Sequence, residues 1–96
     1  MIIIFRFHEF DVDVIDVPEF VISDIKKIQK QFDKWLYDKD NPKTWDKKRG
    51  VFSFRGDMFV YWLNEYLLKD GKVKAKLVES QVFDADYDSE LLRLNY

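Results

Sequence analysis

The chain has 96 residues, a net charge of −2, 47% hydrophobic residues and 18% aromatic residues. That length bounds a single α+β domain over 1–96, and so aromatic a composition excludes a disordered chain. The absence of cysteine excludes disulfide frameworks, thiolate metal sites and thiol nucleophiles, and one histidine leaves no His-rich metal or catalytic centre.

Residues 2–17 read as strand. Ile3, Phe5 and Phe7 share one parity, and from Phe10 the apolar parity flips to Phe10, Val12 and Val14 with Asp11 and Asp13 between them. A period of two cannot survive that flip in one regular strand, so a bulge or sharp bend is expected near His8 and Glu9. Pro18 ends the stretch. Ser23 is the expected N-cap of a helix running to about Tyr37, with Asp24 in its first turn. Ile25, Ile28, Phe32, Trp35 and Leu36 recur at spacings of three and four and make its apolar face. Lys26, Lys30 and Lys34 line the opposite side.

Residues 38–50 carry the long loop signal, Val51–Phe54 a short strand, and Asp57–Lys69 a second helix stopped by Gly71. Phe59, Trp62, Leu63, Tyr66 and Leu67 form its expected core stripe. Met58, Tyr61 and Leu68 form a second stripe that could pack a homodimer. Val73, Ala75 and Leu77 alternate with Lys72, Lys74 and Lys76, which predicts a strand buried on one face and continuing to Phe83. The expected fold is therefore α+β in the order β-α-β-α-β: a mainly antiparallel sheet of three to four strands packed against two helices.

The chemical motifs are weak. His8 has no partner pattern for general-base work. Residues 84–88 begin like a calcium loop, but Ser89 and Asn95 stand where Gly and Glu are needed, so no metal site is assigned. Arg55-Gly56-Asp57 reads as a helix start rather than an adhesion signal. No phosphate-cradling glycine pattern and no nucleophile elbow is present, so neither a cofactor nor catalysis is expected. No apolar run reaches membrane-spanning length and the first residues do not form a secretory signal, so a cytoplasmic location is expected.

Charge is segregated along the chain. Residues 1–24 carry a net −5, 25–49 a net +5, and 84–96 a net −3. Two functional expectations follow. The first is a non-catalytic protein-binding module of the immunity or antitoxin type. In it Asp11, Asp13, Asp16, Glu19, Asp84, Asp86, Asp88 and Glu90, with Tyr87 as an aromatic anchor, merge into one acidic surface that caps the basic cleft of a toxin such as a nuclease. The alternative is a nucleic-acid-binding accessory protein. It would use Lys26, Lys30, Lys34, Lys43, Trp45, Lys47, Lys48 and Arg49, with cations for phosphates and an aromatic face for bases.

Overall fold

The computed structural model describes residues 1–7 and 11–96. Its main sheet has four strands: β1 (Ile2–Arg6), β2 (Asp11–Asp16), β5 (Lys76–Phe83) and β6 (Arg93–Asn95), in the order β5-β2-β1-β6. β3 (Trp45–Asp46) and β4 (Val51–Phe52) make a separate two-stranded sheet. The helices are α1 (Glu19–Ser23), α2 (Ile25–Leu36) and α3 (Gly56–Trp62), the last running into a π-helical turn over Leu63–Leu67.

The class is α+β, as the patterning predicts, but the sheet is mixed. β2 pairs antiparallel with β1 and β5, whereas β6 lies parallel to β1, with Phe5 opposite Leu94. The second amino-terminal strand, the third helix and the β3–β4 hairpin also fall outside the expected order. The parity flip has a simple cause: Ile3 lies opposite Ile15 and Ile4 opposite Val14, so Ile2–Arg6 and Asp11–Asp16 are two antiparallel strands. The bend expected at His8–Glu9 lies outside the described residues, as does His8 itself.

Cross-strand partners share a face, and this divides the core in two. Ile3, Phe5, Ile15, Val17 and Leu94 face the helices and pack with Val21, Ile28, Phe32, Leu36, Phe59, Trp62 and Leu63. Phe32 is the hub of the aromatic packing, with its ring within 4.9 Å of Phe59 and 5.5 Å of Trp62. On the opposite face Ile4, Val12 and Val14 are covered by Tyr87 and Leu91. These belong to the segment that joins β5 at one edge of the sheet to β6 at the other.

α2 buries Ile28, Phe32 and Leu36, with Ile25 and Trp35 partly buried, as its spacing predicts. Its N-cap is Asp24 rather than Ser23, and neither side chain caps it. Ser23 instead closes α1, a five-residue helix whose brevity left no periodic signal.

The second helix departs from the expected stripe at the π turn. The Leu68 N–H donates to the Leu63 carbonyl at 2.6 Å, an i to i+5 bond. That wider turn rotates everything after it by about one residue position. Leu68 enters the core at 4% exposure, while Tyr66 and Leu67 turn outward. The second apolar stripe is thereby dismantled, since Leu68 is core and Met58 and Tyr61 are half-buried.

The predicted strand from residue 72 begins only at Lys76, and it is not buried on one face. β5 is an edge strand with most of its side chains exposed, and only Ala75, just before it, is buried. Asn64 fixes this entry by donating to the Ala75 carbonyl and accepting from its N–H.

Candidate functional site

Of the acidic residues expected to form one surface, Asp13 is 1% exposed. Its parity on β2 puts it on the helix side of the sheet, opposite Phe5. There its Oδ1 accepts from the Arg55 guanidinium (3.0 Å), the Ser80 hydroxyl (2.8 Å) and the Gln81 N–H (3.1 Å), and its Oδ2 accepts from the Gly56 N–H (2.8 Å). Burial pushes this carboxyl up, but the Arg55 side chain and the other three donors outweigh it and hold the group below its ordinary range. Asp13 therefore joins β2, the start of α3 and a bulge in β5, and it is no docking residue. Gly56 is required by the same contact, because a Cβ there would stand 2.7 Å from the Asp13 Cβ. Gln81 takes a φ of 57° to bring its N–H inward.

The remaining acids fall at the two ends of β2 and along the segment after β5. Asp16 pairs with the terminal ammonium at 2.8 Å, at the end of β2 that lies opposite Lys76, and Glu19 follows at that end on α1. Asp11 lies at the other end of β2, opposite Phe83. Asp84 is held by both Arg93 (2.7 Å) and Arg6, which depress its pKa, Arg93 most strongly. Arg93 also donates to the carbonyls of Asp88, Ser89 and Leu91, so this cluster fastens the crossing segment under the sheet. Exposed acids persist at Asp86, Asp88 and Glu90, where Asp88 accepts from the Glu90 N–H. Tyr87 is spent partly on the second core.

The basic residues fare differently. Asn41 and Thr44 tie the loop after α2 to its last turn, donating to the carbonyls of Trp35 (3.0 Å) and Leu36 (2.7 Å). This places the β3–β4 hairpin against the C-terminal end of α2. Asp46 shapes the hairpin turn by accepting from the N–H groups of Lys48 and Arg49, and Gly50 closes it at φ +66°. The turn therefore presents Lys47, Lys48 and Arg49 to solvent.

Two open cavities adjoin here and share Lys43 and Ser53. One, of about 400 Å³, is lined by Trp45, Lys47 and Lys48, and the other, of about 500 Å³, by Phe7, Phe54, Arg55 and Met58. Together they form a groove between the hairpin and the start of α3. Trp45 is half-buried and stands 4.8 Å from Phe52, with the Lys39 ammonium 5.1 Å from its ring centroid. Lys43 lies 4.4 Å from the ring of Tyr61, and Arg55 lies 5.7 Å from that of Phe7. Asp46 and Asp57 also line the groove and reduce its positive field. Lys26, Lys30 and Lys34 are exposed along α2 and line neither cavity.

Phe7, Phe54 and Arg55 enter this groove without any sequence signal, because they converge from separate segments. Among the described residues no cluster of His, Cys, Asp and Glu is arranged to hold a metal ion, and no helix is long and apolar enough to cross a membrane. No family model matches this chain, and no curated protein or solved structure shows significant similarity to it.

Proposed function

We propose that this protein is a non-catalytic binding module that holds single-stranded nucleic acid in the groove between the β3–β4 hairpin and α3. One observation carries the reading: the ion pairs of the fold leave its lysines available. Among the described residues the ion pairs engage Asp13, Asp16, Asp46 and Asp84, and no lysine takes part in one. A net charge of −2 thus coexists with a locally basic groove.

Lys43, Lys47, Lys48 and Arg49 supply phosphate contacts. The Trp45 ring supplies a stacking face once the exposed Lys39 is displaced, an exchange that costs about 0.5–1 kcal/mol. The test is fluorescence anisotropy with labelled oligothymidine across a salt series. Four phosphate contacts to a single strand predict a log–log salt slope of about −3. A flat salt response, or no binding at low salt, ends the reading.

A second reading, an immunity- or antitoxin-type module that caps the basic cleft of a toxin such as a nuclease, is supported by the exposed Asp86, Asp88 and Glu90. It expects one stoichiometric protein partner that survives nuclease treatment and is lost on changing these three residues to lysine. Retention of that partner by the triple variant ends it.

A further inference from the structure

Among the described residues β5 is the last strand on its side of the sheet and pairs only with β2. Its eight residues offer about 26 Å of backbone edge. Of the exposed large hydrophobic residues among those described, Val73 (62%), Leu77 (40%), Val78 (52%) and Phe83 (66%) lie on this strand or just before it. Natural edges are normally blunted with inward charge, proline or bulges. Here the register with β2 shifts twice, at Val78 and at Ser80–Gln81, and the second irregularity is drawn inward by Asp13, away from the free edge.

Charge along the edge is polar. Lys72 and Lys76 stand exposed before and at its start, Glu79 stands exposed at its middle and Asp86 beyond its end. Lys74 and Asp84 do not count, since Lys74 caps the carbonyls of Leu68 and Lys69 and Asp84 is paired with two arginines. A strand positive at one end and negative at the other is complementary to itself when antiparallel, and repels itself when parallel.

We propose that the free edge of β5 is a self-association surface that pairs antiparallel with the β5 of a second copy of this chain. A two-fold axis between Leu77 and Val78 sets Lys76 of each copy opposite Glu79 of the other and Lys72 beside Phe83. It also brings Leu77, Val78 and Phe83 of both copies under cover. The interface is isologous, as a two-fold dimer requires, and it joins the two four-stranded sheets into one. None of these residues lines the groove, so the proposal stands or falls independently of nucleic-acid binding.

The test is analytical ultracentrifugation of the full chain over a wide concentration range, with circular dichroism to verify folding. The wild type is expected to show a concentration-dependent dimer that weakens with salt. K72E/K76E makes the edge wholly acidic and E79K/D86K makes it wholly basic, so each alone is expected to be monomeric and their equimolar mixture to regain the dimer. Lys76 lies opposite Asp16, so K76E also perturbs the sheet itself. V78K avoids this, because Val78 has no register partner in β2, and it too is expected to be monomeric. A wild type that stays monomeric throughout, a dimer that persists in V78K, or a mixture that fails to reassociate while both components are folded overturns the proposal.

Discussion

Asp13→Asn is the substitution most revealing of how this fold is held. The asparagine has the aspartate's size but only one acceptor atom. With its oxygen placed toward Arg55, Ser80 and Gln81, its NH₂ group faces the buried Gly56 N–H across a distance that was a 2.8 Å hydrogen bond. Two donors then oppose each other, which costs about 1–3 kcal/mol for the unsatisfied buried group. The Arg55 side chain, only 23% exposed, also loses its counter-charge. Breaking a buried pair costs about 3–5 kcal/mol in full, and partial solvent access lowers that share. The expected total is about 2–4 kcal/mol, a large part of the stability of a domain this size.

The assay is urea denaturation at pH 7 and again through the acid range. Because the folded pKa of Asp13 lies below its ordinary value of 3.8, unfolding takes up a proton as the pH falls. The contribution of Asp13 is therefore fully present above pH 3.8 and is lost as the pH drops through the lower folded value. The wild-type and D13N curves should accordingly converge in acid, and Asp84, whose pKa is also depressed, keeps some acid sensitivity in the variant. A D13N protein within about 0.5 kcal/mol of wild type at pH 7, the ordinary range for a surface change, refutes the assignment of Asp13 as a buried clamp.

Gly56→Ala should destabilise through the same contact, since its Cβ has no room beside Asp13, and a thermal melt unchanged from wild type would contradict the close approach. The π turn makes a paired prediction: Leu68→Ala should cost about 2–5 kcal/mol as a core truncation, whereas Leu67→Ala should cost well under half as much, as read by denaturant midpoints. Equal effects would restore the regular α-helical stripe. Trp45→Ala should weaken oligothymidine binding by about 1–3 kcal/mol with little change in salt slope, whereas Lys47→Ala and Lys48→Ala should each reduce the slope by about 0.7. A Trp45→Ala protein of unchanged affinity would remove the stacking role.

Part of the candidate site was legible from residue order alone. Lys43, Trp45, Lys47, Lys48 and Arg49 fall within seven residues, and a short turn keeps such neighbours together whatever the rest of the fold does. The burial of Asp13 was not legible, because its partners come from separate segments and alternation along β2 does not say which face is covered. Asp11 and Asp13 share a parity that looks like a solvated ladder. It is the arrival of Arg55, Gly56, Ser80 and Gln81, distant in sequence, that turns Asp13 into a buried acceptor.

The same distinction runs through the fold. The apolar face of α2 and the alternation of the amino-terminal segment were determined by the sequence itself, since periods of 3.6 and two residues are local properties that any core must respect, but the division of that segment into two facing strands was not. The π turn, the parallel pairing of β6 with β1 and the edge position of β5 were decided only in the tertiary structure. Each depends on which distant surface fills a given space. Leu68 displaces Leu67 from the core because of a single i to i+5 bond. β6 reaches the far edge because the segment before it is spent covering Ile4, Val12 and Val14. No local periodicity encodes such choices, because they are settled by burial and by hydrogen-bond satisfaction between parts of the chain that residue order keeps apart.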